Sequence, residues 1–595
     1  MADQPAAGAS ADLGDRIEKW LLANTAARPL SEGELARCEG VHAVRGWRID
    51  IDIAGAAVAL DLTIDRRFPR SRPNIALADP PPFPSYPHVE EDGGICAIEQ
   101  TDELDPGRPI GIIKAALGGA ADVLEKGFSG ANLEDFRTEF LSYWNPTASG
   151  DAVHSLLDPC GDTRRIKVWL GRSGHYVAED RAALVAWLAN RHGLKLGPDQ
   201  ACQPGLLLWL PRPLLPSEYP RTPEDLRALA ENVGGSVPDM FEALLGVDQP
   251  RWLVLLGAPV EAGACFAAVL IERKRGHGWT AGRRKRGFRK GNMPANMVRA
   301  EALSGTLARR EVRRVDPRWI HGRDANTDLD VLLAAQVTIV GCGSLGAPVA
   351  RLLAQAGVGA IDLIDPEVLV AANTARHVLG SGEVGQRKAA ALALRLQRDF
   401  PHLRITDHSD CWQAVAAREP TLLAKADLAI STIGSWSQEG ELNQHHLDQG
   451  VPRTSLYAWA EPHAVGGHAV LIGPNGGCLA CGLAPDGRSL FRVAEFPGAT
   501  LVREPACGGY FQPYGAAEIT LVASMAAMLA LDHLLGQAPS GTYRVASTLE
   551  ETLAAAGGTW SKQWRRATAG RSSGAMVERV WQHDLACPAC RDKER

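Results

Sequence analysis

The stretch Val337–Lys388 reads VTIVGCGSLGAPVARLLAQAGVGAIDLIDPEVLVAANTARHVLGSGEVGQRK. An apolar β-branched run, Val337 to Val340, leads into Gly341, Gly343 and Gly346. A helical pattern follows, then a second apolar run ending at Asp365. The order strand, glycine turn, helix, strand predicts half of a mononucleotide-binding fold. Glycines let the backbone approach a phosphate, and the helix that follows offers free N–H groups and the positive end of its dipole.

The residues beyond Asp365 separate ATP from a redox dinucleotide. Asn373, Arg376 and Lys388 follow as Asp-x7-Asn-x2-Arg-x11-Lys. Hydride transfer needs no pair of cations at this place, whereas displacement at a triphosphate does. The order resembles the adenylation domain of the ubiquitin-activating, ThiF and MoeB family. The resemblance implies that Asp365 binds ribose and that Asn373, Arg376 and Lys388 bind the phosphates. In PRWIHGRD, Pro317–Asp324, it further implies that Arg323 reaches the ATP of a partner subunit, which requires a dimer.

The chain has 595 residues, 45% hydrophobic and 22% charged, so it buries several cores. A formal net charge of −6 gives no general attraction to nucleic acid or an acidic membrane. The opening Met1–Gly14 is Ala-rich and reads as a loose N-terminus rather than an export signal. The longest apolar run, Ile519–Leu531, reads as too short to cross a bilayer. The expectation is a cytoplasmic protein with reduced thiols.

Ahead of this domain, Asp15–Ala26 is amphipathic and Arg45–Ile64 alternates like strands. Asp79–Cys96, DPPPFPSYPHVEEDGGIC, is a proline-rich loop, and helices follow through DFRTEFLSYW, Asp135–Trp144. This order resembles a ubiquitin-conjugating enzyme of the bacterial conjugating-enzyme-like branch. The resemblance makes Cys96 the catalytic thiol, and puts His88 where the family has an Asn that steadies the loop or the oxyanion. An imidazole there could donate to a developing oxyanion or relay a proton. The polar turn Glu90–Gly94 predicts an accessible Cys96 whose pKa its acidic neighbours do not lower.

Residues 156–310 read as a small connecting α/β module, with strands at Ile166–Leu170, Leu206–Leu210, Trp252–Leu256 and Phe266–Ile271 and a helix at Arg181–Arg191. The run Arg273–Lys290 is basic and glycine-bearing, either a solvated loop or a docking surface for something acidic.

Within the adenylation domain, Ala426–Ile433 reads as another strand. The family ends it with an Asp that helps hold Mg2+; here Ser431-Thr432-Ile433-Gly434-Ser435 stands instead, and no magnesium ligand is assigned. Cys478/Cys481 and Cys587/Cys590 are two CxxC pairs, the spacing of a closed tetrahedral Zn2+ site, and the family has the same paired arrangement. Between them lies REPACGGYFQPYGAAEIT, Arg503–Thr520. The resemblance makes Cys507 the acceptor of a thioester, followed by Pro513, Tyr514 and Glu518. Cys342 reads as a packing residue.

The expected fold is therefore α/β and α+β multidomain. A flexible N-terminus (1–14), a ubiquitin-conjugating-like α+β domain (15–155), a connecting module (156–310) and a Rossmann-like ThiF/MoeB adenylation domain with a zinc site (311–595) follow one another. A conjugating module fused to an activating one looks like the fused ligase of bacterial CBASS anti-phage operons. That resemblance implies ATP, Mg2+ and Zn2+, and adenylation of the C-terminus of a cGAS-like nucleotidyltransferase. Thioesters on Cys507 and then Cys96 would follow, with ligation to an amine. Two other readings stand beside it: a sulfur-carrier adenylyltransferase of the ThiF type whose N-terminal module only recruits, and a non-enzymatic adaptor.

Overall fold

A computed structural model describes residues 7–36, 38, 42–97, 104–172, 174–195, 202–261, 263–274, 293–449, 454–474, 476–504 and 509–591. Cys507 and residues 275–290 of the basic run lie outside the described residues. The chain forms two compact units, 1–155 with 159–177 and 202–313, and 156–158 with 178–201 and 314–595.

The first unit opens with a helix, Ala7–Asn24. It starts well before Asp15, because the alanine-rich stretch that read as loose is a good helix former. Strands β1 (Ala26–Pro29), β2 (Arg45–Ile53), β3 (Ala56–Ile64) and β4 (Asn74–Leu77) form an antiparallel meander in that order. Its inner face, with Trp47, Ile49, Leu60, Leu62 and Ile75, packs on Ile17 and Leu21 of the first helix and on Ile113, Ala116 and Leu124 of the helix Pro109–Ser129.

The same unit holds a mixed sheet of eight strands: β5 (Val153–Ser155), β6 (Arg164–Gly171), β7 (Gly174–Ala178), β8 (Gln203–Trp209), β9 (Arg251–Val260), β10 (Gly263–Glu272), β11 (Thr306–Arg310) and β12 (Val312–Arg314). They lie in the order β11-β10-β9-β8-β6-β7-β5-β12. The four apolar runs of the sequence are four of these strands. The segment Asp135–Trp144 joins the two sheets. Phe140 and Trp144, four residues apart on one helical face, pack on Tyr219, and the Trp144 indole N–H donates to the Arg310 carbonyl at 3.0 Å. Arg137 is buried, pairs with Glu218 at 3.2 Å and donates to the Pro213 carbonyl.

In the second unit, β13 (Gln336–Val340), β14 (Ala360–Ile364), β15 (Arg404–His408), β16 (Leu428–Ser431) and β17 (Ser455–Ala460) are parallel. Then β18 (Gly466–Ile472) and the strands Thr542–Ser547 and Met576–Val580 continue antiparallel. The chain runs outward from β13 through β14 to β15, then returns to place β16 on the other flank of β13. This reversal opens a crevice at the carboxyl ends of β13 and β16, the binding place of a doubly wound sheet. The helix Ala516–Leu534 is long and apolar enough to cross a membrane by length and composition, although the run inside it read as too short. Its Ile519, Val522, Met525 and Leu529 belong to the core of this sheet.

His402 and His321 form a neutral pair inside this unit. Their Nε2 atoms lie 2.8 Å apart, and His321 Nδ1 faces the Gln355 carbonyl at 3.0 Å. Burial, with the His321 ring beside it, pushes His402 from 6.5 down to about 3. A histidine depressed in the folded state stabilises above its unfolded pKa, and that contribution is lost as pH falls toward the folded one. The stability cost of His402→Gln, measured by urea unfolding, is therefore expected to shrink by about 2–3 kcal/mol between about pH 7.5 and 4.5. A cost that stays constant over this range refutes the assignment.

Candidate functional site

The glycine turn at the end of β13 is held from three sides. Gly341 sits at φ +93, and a Cβ there would meet the Thr432 backbone at 2.9 Å. A Cβ on Gly346 would stand 1.8 Å from the Gly341 carbonyl oxygen, so helix and turn pack at glycine distance. Around Gly343 nothing lies within 4 Å of where a Cβ would be, which leaves backbone open to a ligand. Asp365, buried at the end of β14, accepts the Cys342 N–H at 2.7 Å and the Glu367 N–H at 2.8 Å. Each of its oxygens keeps a lone pair for a ribose hydroxyl. From the third side, His377 Nδ1 accepts from Leu379 N–H at 3.1 Å, so the ring donates through Nε2 to the Cys342 carbonyl at 2.7 Å. Burial lowers its pKa and keeps the ring neutral. Sequence reading passed over His377, although it follows Arg376 directly.

Lys388 opens the helix Lys388–Asp399 and is buried, with its ammonium on the exposed Glu367 carboxylate. Its charge bears on both Cys342 and His377. Asn373 ends a short 3-10 turn, and its Oδ1 accepts from Val370 N–H at 3.2 Å. The Arg376 guanidinium lies 4.5 Å from the centroid of the Tyr514 ring, and the Tyr514 hydroxyl is 2.7 Å from Ser344 Oγ in the glycine turn. Thus Asp365, Arg376 and Lys388 all bear on one glycine turn. Arg323 is exposed at φ +50, just beyond the helix Pro317–Ile320.

At the end of β16 the hydroxyls are already engaged. Thr432 Oγ1 donates to the Gly341 carbonyl at 2.7 Å, and Ser431 Oγ donates to Glu439 at 3.2 Å. Glu439 also accepts from Gly434 N–H at 3.4 Å, and burial pushes it up to about 7. Neutral hydroxyls are weak ligands for a hard cation, and burial disfavours the charged form of Glu439. ThiF-type adenylation uses Mg2+ with ATP, but these residues designate no protein ligand for it.

The sulfurs of Cys478, Cys481, Cys587 and Cys590 are buried and lie within 4.8 Å of one another. Nearest separations are 3.5 Å (Cys481–Cys590), 3.7 Å (Cys478–Cys587) and 3.9 Å (Cys478–Cys481). Four thiolates about 2.3 Å from a tetrahedral Zn2+ stand about 3.8 Å apart, so this set fits the ion. The Trp581 indole N–H donates to the Cys478 carbonyl at 2.9 Å, and Leu479 N–H donates to the buried Asn443 at 2.9 Å, fixing the knuckle.

In the first unit, Glu90–Gly93 makes a tight turn in which Gly93 takes φ +85, and Val89 pairs with Ile95. Cys96 N–H therefore donates to the His88 carbonyl at 2.9 Å. Cys96 is exposed and lines a cavity of about 450 Å³ with Phe83, His88, Glu90, Glu139 and Tyr143. His88 takes φ +61; its N–H donates to the Tyr143 hydroxyl at 2.8 Å, and that hydroxyl donates to Glu139 at 3.1 Å. The ring is held between Asp135 (Nε2, 3.0 Å) and Glu139 (Nδ1, 3.5 Å). Asp135, Glu139 and Tyr143 come from the short helices Asp135–Thr138 and Phe140–Trp144 and from Glu139 at the break between them.

Although Cys96 reaches the surface, partial desolvation of its sulfur pushes its pKa up, and Glu90 and Glu139 add to this. Glu90→Gln is expected to speed alkylation of Cys96 by iodoacetamide at about pH 8 by about two- to tenfold, since each pKa unit is a tenfold change in thiolate. An unchanged rate would show that Glu90 does not control the thiol.

Residues 321–563 match the ThiF family and residues 19–153 match Prokaryotic E2 family B. The sulfur carrier protein adenylyltransferase of Thermus thermophilus is 30% identical over 210 residues, 34% of this chain and 71% of that protein. The ATP-dependent ubiquitin transferase-like protein Cap2 of Pseudomonas aeruginosa is 25% identical over 492 residues, 78% of this chain and 83% of that protein. Cap2 of Enterobacter hormaechei is 27% identical over 242 residues, 37% of this chain and 38% of that protein. The chain belongs to the ThiF family and carries a prokaryotic E2 domain in the same polypeptide. It is an ATP-dependent enzyme of the ubiquitin-activating and ubiquitin-conjugating kind, which sets aside the adaptor reading.

Proposed function

We propose that this enzyme activates the C-terminal carboxylate of a protein and passes the acyl group through Cys507 and Cys96 to an amine. The observation that supports this best is the pairing, in one chain, of a cation-lined glycine turn with an exposed cysteine in an open cavity. A carboxylate oxygen attacks the α-phosphorus of ATP, and the bond to the β-phosphate oxygen breaks, releasing pyrophosphate. Arg376 and Lys388 offset charge on the phosphates, Asn373 adds a side-chain amide, and Asp365 takes a ribose hydroxyl. The Cys507 thiolate then displaces AMP, Cys96 takes the acyl group by thioester exchange, and an amine displaces Cys96. His88, its ring nitrogens facing Asp135 and Glu139, holds the loop opposite Cys96 through the bond from Cys96 N–H to its own carbonyl. Arg323 acts on the ATP of a second copy in a homodimer.

The substrate we favour is a cGAS-like nucleotidyltransferase in anti-phage defence, consistent with the likeness to Cap2, and the site of action is the cytoplasm, where the thiols stay reduced. The experiment is to mix the enzyme with ATP, Mg2+ and a candidate nucleotidyltransferase encoded beside it. Thiol-sensitive adducts on Cys507 and Cys96 are expected by non-reducing gel and mass spectrometry; adenylate without adducts would favour the sulfur-carrier reading, which the Thermus relative supports.

The four cysteines hold a structural Zn2+, with every coordination position taken by sulfur. About one Zn2+ per chain is expected by atomic absorption. Cys587→Ser should remove it and lower Tm by about 5 °C or more. Full metal content in that variant would rule out the assignment.

A further inference from the structure

We infer that Tyr514 is a positioning residue that ties the phosphate side of the adenylation site to the strands flanking Cys507 in sequence. The inference rests on the adenylation reading above. Two polar contacts of the Tyr514 side chain lie on the nucleotide side, while its ring also packs on the core: its hydroxyl meets Ser344 in the glycine turn at 2.7 Å, and its ring face carries the Arg376 guanidinium at 4.5 Å. Its backbone belongs to the other side. Pro513 before it has a fixed φ, which removes one backbone rotation between Gln512 and Tyr514. Gln512 is paired twice with Thr500, at 3.1 and 3.2 Å. Tyr510 and Phe511 pair with Arg503 and Val502 in a two-stranded ribbon, and Cys507 falls between those strands in the chain. After Tyr514, Gly515 caps the core helix Ala516–Leu534, so the segment is anchored at its far end.

A triphosphate makes charge-assisted, bidentate bonds to a guanidinium, stronger than its hold on an aromatic face. Nucleotide binding therefore changes what Arg376 asks of the Tyr514 ring, while the hydroxyl stays tied to the turn that receives the phosphates. The ribbon, linked through Pro513, is biased in the same event. In this way the ring orients Arg376 for adenylation and reports phosphate occupancy to the ribbon of Val502–Arg503 and Tyr510–Phe511.

The test uses the full chain with Mg2+–ATP alone, read by hydrogen–deuterium exchange of peptides covering 500–504 and 509–515. Saturating ATP is expected to change exchange in these peptides about fivefold or more in the unaltered protein. Tyr514→Leu should still bind ATP by calorimetry yet lose that response. Tyr514→Phe keeps the ring and should retain part of it, and Ser344→Ala should match Tyr514→Phe. If Tyr514→Leu does not fold, by thermal melting, the Phe and Ser344 variants decide. A full response in either of them, or in Tyr514→Leu, overturns the inference, as does a bound nucleotide without any response in the unaltered protein. Failure of the unaltered protein to bind ATP overturns the adenylation reading and the inference with it.

Discussion

Lys388→Ala is expected to lower ATP–pyrophosphate exchange about 100- to 1,000-fold, the loss that follows removal of one preorganised group at developing charge. The lysine is buried at the first position of its helix, so on the proposed reading its charge would act on the phosphates with little solvent between. Its partner Glu367 is 68% exposed, and water takes over that carboxylate when the lysine is gone. Folding stability should therefore change by about 1 kcal/mol or less. Arginine at this position should not restore activity, because a planar fork does not place its charge as a compact ammonium does. Exchange within tenfold of the unaltered enzyme, with Tm unchanged, would remove Lys388 from the phosphate site.

Cys96→Ala should leave adenylation and the Cys507 thioester intact while lowering conjugate yield about a thousandfold or more, because no other group can take the acyl chain at this point. Cys96→Ser should trap an ester that survives thiol treatment. The exposed position of Cys96 makes either change tolerable for folding. Gel analysis of time courses with ATP and substrate separates the steps. Conjugates formed at the usual rate by Cys96→Ala would end the transfer role and leave the conjugating-like domain as a recruiter.

Local chemistry was legible from the chain alone. The glycine turn, its flanking strands and Lys388 are close in sequence, and a phosphate site needs residues at fixed short offsets from a strand end. The CxxC pairs were legible for the same reason, since two thiolates two residues apart already share half a tetrahedron. Apolar runs marked β8, β9 and β10 because strands buried on both faces leave no other pattern, while β6 showed as an alternation of buried and exposed residues. Other features resisted. The first turns of the opening helix, before Asp15, were missed because alanine-rich sequence carries propensity without amphipathic contrast.

Distance along the chain explains most of the rest. His88 and its clamp Asp135 are 47 residues apart, and the two cysteine pairs meet across 109. A sequence shows that such residues exist, and only folding shows that they touch. The opening stretch Val337–Lys388 by itself pointed to an adenylating enzyme: a glycine turn at a strand end, then two cations. Tertiary structure decided who holds whom. It set His377 on the turn, Glu367 on Lys388, and Tyr514 between Ser344 and Arg376. The physical reason is that backbone conformation is dictated by neighbours in the chain, whereas the partner of a buried polar group is whichever side chain the packed fold brings within hydrogen-bonding reach.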